Sequence, residues 1–440
     1  MSKEKRVLLG NISSLFSVEV ANYVLPMISI PVIVRIIGPD KFGLINYAAA
    51  VIGYFVLIVD YGFNLTATRK VAQNKDDNAY LEELFSTVLW SKLLFFLFTL
   101  IIFLACFAIF PLFKAEWKLM AYSYIILISS VVTTNWLYQG MQELHRVAVF
   151  NILVKLIFTI SILLIVKQKS DYVYQPLVLG AAQVIIGFYS FRYALRRYNL
   201  RVIAIPLKKI ITIIKDDRIL FFSQVVIYLY TATNTVILGS LADNTQVGFY
   251  SAALRFIQIA QSLITLPLSN SFFPYVSTAF GRSKQEGIAA ARKVLPIVAL
   301  ISLTAFVGMV TLGPLVLGLF YGAKFQPSIP IFVTLSLVPF LICVSNVYGL
   351  HVMLSLKMDK AFFRITTCGC IISICSNFLL VPLYGGLGSG FSLIITESFI
   401  TIAFIVYLLK QNINIFALAD FHPKKIQLLF QSTLSSLKRK

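Results

Sequence analysis

The sequence predicts an all-α polytopic membrane protein, with about twelve transmembrane helices in two six-helix lobes around a central cavity. Hydrophobic residues make up 58% of its 440 residues, charged residues make up only 13%, and the mean hydropathy is +0.85. Soluble domains average about 25% charged residues. Stretches such as Leu93–Phe113 and Val294–Ala323 contain no Asp, Glu, Lys or Arg. Because about 20 apolar residues cross the hydrocarbon core, each is long enough to span a bilayer.

Each predicted span is an apolar run that ends where polar or charged residues return. The first span carries Pro26 and Pro31, and the eighth carries Pro267 and Pro274. A proline removes a backbone hydrogen bond and permits a kink. These positions are therefore either tolerated irregularities or hinges for alternating access. In chain order, the spans are predicted at residues 9–36, 44–64, 84–110, 119–138, 148–166, 177–195, 219–241, 249–276, 294–320, 329–350, 362–382 and 389–409.

The distribution of Lys and Arg predicts the orientation. With the N-terminus in the cytoplasm, 28 of the 38 Lys and Arg residues fall on the cytoplasmic side and 7 on the outer side. Positive residues concentrate in cytoplasmic loops of membrane proteins, so both termini are expected in the cytoplasm. The apolar run from Val7 has no cleavage site, so no signal peptide is expected. The net charge is +20. The positive residues lie in short loops, where they suit contact with anionic lipid head groups and not with nucleic acid.

A long cytoplasmic connection divides the chain into two halves. The predicted organisation is a six-helix lobe at 1–195, a cytoplasmic amphipathic linker at 196–218, a second lobe at 219–409 and a basic tail at 410–440. The linker section LKKIITII suits a helix in the membrane interface. A short repeat relates the halves at an offset of 205 residues, with Gly43 over Gly248 and Ala48 over Ala253. If the match is not chance, parallel repeats of this kind place a substrate site between two lobes.

Charged residues inside spans are costly unless they face a cavity or a partner. Five polar stripes at helical spacing accompany them, among them Asn151, Lys155 and Thr159 in the fifth span and Arg255 with Gln258 in the eighth. Such stripes either join helices or line a cavity, and their occurrence in both halves favours a cavity. For residues near span ends, the alternative is snorkelling to the interface. The predicted substrate-binding residues are Lys155, Arg255, Lys92, Arg35, Asn151 and Gln258, and those predicted for ion coupling or charge balance are Glu19, Asp60 and Glu397.

Nothing in the sequence predicts covalent chemistry. Phosphate-loop, nucleophile-elbow and zinc-protease motifs are absent, so the protein is not expected to be an enzyme or to need a cofactor or metal. His145, His351 and His422 are expected in loops or at the interface. The five cysteines fall in apolar spans, which favours simple packing.

The N-terminal third carries specific motifs. Residues 22–77 contain LP…P in the first span, then IIGPDKFGLINYA, then DYGFNLTATRK. With these motifs the chain resembles the bacterial O-antigen and capsule repeat-unit flippases of the multidrug/oligosaccharidyl-lipid/polysaccharide exporter superfamily. The resemblance implies a V-shaped pair of bundles around an often cationic cavity. The implied substrate is an undecaprenyl-pyrophosphate-linked oligosaccharide, and a polysaccharide polymerase and a chain-length regulator are expected partners.

This substrate suits the predicted cations. A pyrophosphate that crosses a low-dielectric slab needs Lys or Arg to offset its desolvation cost, and Lys155 and Arg255 come from opposite predicted lobes. Glu19 and Glu397 are expected to couple transport to protons or Na⁺. Two alternatives remain open. A drug/cation antiporter of the same superfamily would have a mainly acidic cavity, and a membrane polysaccharide polymerase would carry a large outer loop.

Overall fold

The structure, a computed structural model, describes the backbone of residues 3–417 and the side chains of residues 29–417 except those of Ser223, Tyr230, Leu266 and Asn270. Over the described backbone, the chain forms α-helices joined by short connections, without β-strands. The helices are α1 Lys3–Asp60, α2 Phe63–Gln73, α3 Asn78–Ile109, α4 Pro111–Ala115, α5 Trp117–Tyr124, α6 Ile126–Val132, α7 Asn135–Gly140, α8 Leu144–Ile165, α9 Tyr174–Arg197, α10 Leu207–Leu241, α11 Asn244–Arg282, α12 Lys284–Tyr321, α13 Ser328–Leu335, α14 Leu337–Asn346, α15 Asp359–Tyr384 and α16 Gly386–Lys410.

Each of the twelve predicted spans lies mostly on helical residues. Nine of them, the second to sixth and the ninth to twelfth, coincide with helical segments that are long and apolar enough to cross a membrane within the described residues. The other three fall on the first part of α1, on α10 and on α11, which reach 35 residues or more. The first and second spans meet at Gly38, whose φ of 78° interrupts α1. The predicted all-α membrane fold is confirmed.

The outer surfaces of these helices fit a lipid environment. On α3, Leu97, Ile101 and Leu104 are more than half exposed, and on α12 the same holds for Leu315 and Leu319. A helix that leaves large apolar side chains uncovered over most of its length needs an apolar solvent. The protein therefore crosses the membrane several times.

The residues that the short repeat pairs are buried to the same degree in the two halves of the chain. Gly43 and Gly248 are both buried, and Ala48 and Ala253 are both fully buried in their own helices. Because small residues let helices approach closely, the repeated positions mark the same kind of packing contact in each half.

The chain divides into two compact units, Met1–Tyr228 and Leu229–Lys440. The predicted linker lies within the first unit, and its Leu200 and Ile213 belong to a hydrophobic core of that unit. The amphipathic section of the linker is the start of α10 and continues without a break into the predicted seventh span.

Two features of the helices differ from the expectations. The fourth span is interrupted, because α6 ends at Val132 and α7 begins at Asn135. The tenth span ends in a π-helical segment, Val347–Met353. His351 lies in this helical segment and is 2% exposed, so the expectation of a loop position was wrong. The ring of Phe273 packs beside it, with 6.0 Å between the ring centroids.

Candidate functional site

A polar cavity of about 330 Å³ lies inside the first unit. Four residues selected from the sequence, Asp60, Lys92, Asn151 and Lys155, line it together. Most of the other lining residues also carry hydroxyl or amide groups, which suits a hydrated or sugar-like ligand. The remaining lining residues are Asn64, Ser129, Ser130, Thr133, Asn135, Phe150, Val154, Gln183, Ile186, Gly187 and Ser190.

Lys92 is the most deeply buried charge of this cavity, with 2% of its side chain exposed. Its Nζ donates to Asp60 Oδ1 at 2.8 Å and to the backbone oxygen of Ser130 at 2.9 Å. Ser130 lies in the last turn of α6, where carbonyl groups lack partners within the helix and carry a partial negative charge. The ammonium group is therefore held by a carboxylate and by the end of a helix. Lys92 therefore forms an ion pair inside the protein. The alternative for a residue near a span end was snorkelling to the membrane interface.

The break in the fourth span creates this arrangement. Thr133 has an extended conformation with ψ near 127°, so the helix stops and exposes polar groups at membrane depth. Irregular backbone inside a membrane is tolerated where it lines a cavity or is covered by protein. The signal that could have revealed the break is the cluster of polar residues Ser129, Ser130, Thr133, Thr134 and Asn135 within one short apolar span.

Helix α8 contributes the second cation. Asn151 and Lys155 lie one turn apart, and both side chains are partly buried where they line the cavity. The predicted polar stripe of the fifth span therefore lines a cavity. Its third member, Thr159, is buried outside the cavity.

A second cavity, of about 490 Å³, adjoins the first. Asp60 and Asn64 line both, so the two cavities meet at these side chains. The second cavity is mainly apolar, although amide, hydroxyl and carboxylate side chains also contribute to its lining. Its other lining residues are Ile45, Asn46, Ala49, Ile52, Gly53, Val56, Leu57, Gly62, Leu65, Ser123, Ile126, Gln175, Pro176, Leu179, Gln224 and Tyr228.

The DYGFN motif forms the turn at the junction of the cavities. Tyr61 and Gly62 both have positive φ, 46° and 80°, which turns the chain sharply between α1 and α2. Glycine adopts this conformation freely, whereas Tyr61 is strained in it. The Tyr61 ring stacks on Phe95 and Phe221 at centroid distances of 4.8 and 4.3 Å. This packing fixes the turn that places Asp60 and Asn64 at the cavities.

The other predicted site residues lie elsewhere. Arg35 is exposed on α1 and lines neither cavity, while Arg255 and Gln258 are exposed on α11 in the second unit. Glu397 is buried on α16, with 4% of its surface exposed. Glu19 lies outside the residues whose side chains are described. The roles assigned to these five residues stay predictions.

A buried polar network crosses the core of the second unit. Asn377 Nδ2 donates to Asn234 Oδ1 and to Ser392 Oγ, both at 2.7 Å, and Asn377 Oδ1 accepts from Ser389 at 3.0 Å. Ser373 also donates to Asn234 Oδ1. Buried polar groups that satisfy one another fix the register of packed helices. The network therefore joins α10, α15 and α16 within this unit.

Three charged residues meet at one end of the first unit, outside the spans. Glu143 accepts from Arg146 at 2.8 Å and from Arg197 at 3.2 Å. Burial raises the pKa of Glu143, but the two arginines outweigh this effect and hold its pKa below the ordinary value. The predicted topology assigns all three residues to the cytoplasmic side.

Comparison with known proteins agrees with this architecture. Residues 8–280 match the family described as "Polysaccharide biosynthesis protein". The chain is 27% identical over 409 residues to the "Putative O-antigen transporter" of Escherichia coli (strain K12), covering 92% of this chain and 98% of that protein. It is 28% identical over 406 residues to a protein of the same name from Shigella dysenteriae, covering 91% and 98%.

Two solved structures share the fold. The lipid II flippase MurJ in an inward closed conformation aligns with a TM-score of 0.72 over 97% of this chain and 92% of MurJ, at 15% identity. An inward-facing multidrug resistance transporter of the MATE family and MOP superfamily aligns with a TM-score of 0.70 over 92% and 98%, also at 15% identity. The resemblance predicted from the motifs of the N-terminal third is confirmed. Because the family match covers more than half of its length, the chain belongs to the polysaccharide biosynthesis protein family.

Proposed function

We propose that this protein moves undecaprenyl-pyrophosphate-linked oligosaccharide repeat units from the cytoplasmic to the outer leaflet of the bacterial inner membrane, for O-antigen or capsule synthesis. The observation that carries the proposal is the polar cavity with Lys92 and Lys155, found in a chain whose relatives are named as O-antigen transporters. Transport by alternating access requires no covalent chemistry of its own.

The composition of the cavity supports an anionic, glycosylated ligand. Two lysines and one aspartate line it, so the cavity carries an excess of positive charge when all three are ionised. Cations that are already desolvated bind phosphate oxygens strongly. Serine, threonine, asparagine and glutamine side chains offer both donors and acceptors for sugar hydroxyls. A drug/cation antiporter would need the opposite excess of charge, which makes it the weaker candidate.

The proposal also assigns a role to each of the remaining predicted residues. Arg255 and Gln258 are proposed to bind the head group from the second half of the chain, and Arg35 to contribute a further cation. Glu19, Asp60 and Glu397 are proposed to couple transport to protons or Na⁺, or to balance the cations. Both termini are proposed to lie in the cytoplasm, with a polysaccharide polymerase and a chain-length regulator as partners.

A deletion strain of the source bacterium tests the function directly. Without the protein, the lipid-linked repeat unit should be synthesised but remain on the cytoplasmic leaflet, and long surface polymer should be lost. The leaflet is measured by labelling the sugar with a membrane-impermeant reagent in intact cells and in inverted vesicles. Complementation with the intact chain should restore outer labelling and polymer. Single repeat units exposed at the outer surface of the deletion strain would show intact translocation, and the polymerase alternative would then be favoured.

A further inference from the structure

The Lys92–Asp60 pair is unequal in its exposure to the cavities. The lysine side chain is 2% exposed, whereas 26% of the aspartate side chain is exposed. Lys92 also has a second, fixed partner in the Ser130 carbonyl oxygen at 2.9 Å. The Ser130 carbonyl therefore keeps the Lys92 ammonium group in place, and the Asp60 carboxylate is the partner of Lys92 that a ligand can reach.

Asp60 also marks a boundary between two chemical environments. Lys92, Lys155 and mostly polar side chains line the cavity on one side, and apolar side chains such as Ile45, Val56 and Leu179 line the cavity on the other. Polar and apolar compartments that meet at one point match a ligand with a charged head and a hydrocarbon tail. The junction is where the first phosphate of such a ligand would lie.

We propose that Asp60 is a displaceable counter-ion for Lys92, which exchanges with the phosphate head of a prenyl pyrophosphate. The head then binds to Lys92 and Lys155 in the polar cavity, and the first hydrocarbon segment of the chain enters the apolar cavity. This proposal rests on the proposed function and assigns the class of ligand group that each cavity of the first unit receives.

The exchange is favourable because it leaves no buried cation without a partner. Removing one member of a buried ion pair is strongly destabilising, but here one anion replaces another on Lys92. The two phosphates of a prenyl pyrophosphate together carry more negative charge than one carboxylate at neutral pH, and Lys155 supplies a second positive charge in the same cavity. The released carboxylate is already partly exposed, so its rehydration is easy. A neutral or cationic ligand gains nothing from this exchange.

Binding measurements on the intact protein in lipid nanodiscs test the exchange. Inorganic pyrophosphate probes the polar cavity alone, and farnesyl pyrophosphate probes both cavities. If Asp60 competes for Lys92, Asp60→Asn should raise the affinity for both probes by roughly tenfold or more, because one charge-assisted hydrogen bond no longer has to be replaced. Asp60→Glu, which keeps the competing charge, should bind the probes as the natural protein does.

The chain provides a matched control. Lys70 and Asp217 form another lysine–aspartate pair of the first unit, at 3.1 Å, and neither residue lines the cavities. Asp217→Asn should leave both affinities unchanged. If Asp60 only positions Lys92, Asp60→Asn should instead lower the affinity for pyrophosphate, and this opposite sign would overturn the proposal. An affinity equal to that of Asp217→Asn would overturn it as well.

A second variant tests the apolar compartment. Ala49 is exposed and lines the apolar cavity, so Ala49→Phe should fill part of it. The variant should lose the additional affinity of farnesyl pyrophosphate over pyrophosphate and keep the affinity for pyrophosphate itself. Equal affinity of the natural protein for the two probes would reject the apolar compartment as a tail site. The binding results can contradict this proposal while the intact chain still restores polymer in the deletion strain. In that case the assignment of the two cavities is wrong and the proposed function is retained.

Discussion

Trp90 donates its indole N–H to the carbonyl oxygen of Ile203 at 3.0 Å. One turn earlier on α3, Ser86 Oγ accepts from the backbone N–H of Ile203 at 3.0 Å, and one turn before that, Glu82 accepts from the N–H of Arg201 at 2.9 Å. Side chains four residues apart share one face of a helix. This face of α3 therefore binds the extended segment before α10 through its backbone.

Loss of one of these hydrogen bonds should loosen the segment. Ser86→Ala removes the acceptor for Ile203, and an intramolecular hydrogen bond contributes about 1 kcal/mol. Hydrogen exchange of the peptide around residue 203 should therefore accelerate about fivefold. Ser91→Ala is the control, because the Ser91 hydroxyl donates within its own helix to Thr87. Equal exchange in the two variants would show that packing, and not these side chains, holds the segment.

The cations predicted from the sequence should be needed for transport. Lys155→Ala and Arg255→Ala should each reduce surface polysaccharide by more than roughly tenfold, since each removes a charge proposed to bind pyrophosphate. Lys155→Arg and Arg255→Lys should be milder, because they keep the charge. Polysaccharide is measured by gel after complementation of the deletion strain, with the amount of protein in the membrane determined by immunoblot. Normal polysaccharide in the double alanine variant would reject this role.

The orientation can be tested with single cysteines. Cysteine at the positions of Asp76 and Gln285, both exposed, should react with a membrane-impermeant maleimide only in inverted vesicles. Cysteine at the positions of Lys114 and Lys169 should react in intact cells, because these lysines belong to the side with few positive residues. The natural cysteines are first replaced by serine or alanine as a background. The reversed pattern of labelling would place the termini outside.

The spans could be predicted because a bilayer imposes long apolar runs, which remain visible in a sequence. The pair Asn151 and Lys155 could also be found, since a spacing of four residues places both on one face of α8. The contact between Asp60 and Lys92 could not, because it joins two residues that are 32 positions apart in the chain and depends on how their helices pack. The burial of His351 likewise depends on neighbouring helices, whereas the break at Thr133 had a local signal in the polar residues around it.

Acid should remove the contribution of Glu143 to stability. Its pKa is lowered in the folded protein, so its stabilising effect is present above the ordinary pKa and is lost as the pH falls through the folded value. At neutral pH, Glu143→Gln should therefore melt at a lower temperature than the natural protein in detergent. The difference should shrink as the pH is lowered below the ordinary pKa of a glutamate, and it should disappear once the carboxyl is protonated in the folded protein. A difference that stays constant over this range would assign the effect to packing.

Two glycines should respond to alanine with opposite signs. A Cβ atom on Gly388 would lie 2.3 Å from the backbone oxygen of Leu380, so α15 and α16 would have to separate. Gly388→Ala should therefore destabilise the second unit by about 1–3 kcal/mol, as overpacking does. Gly308 lies inside α12 with open space around the same position, and Gly308→Ala should stabilise by about 0.5–1 kcal/mol because alanine favours the helix. Thermal unfolding of both variants in the same detergent measures the contrast. A Gly388→Ala variant as stable as the natural protein would show that the two helices can separate at this point without loss.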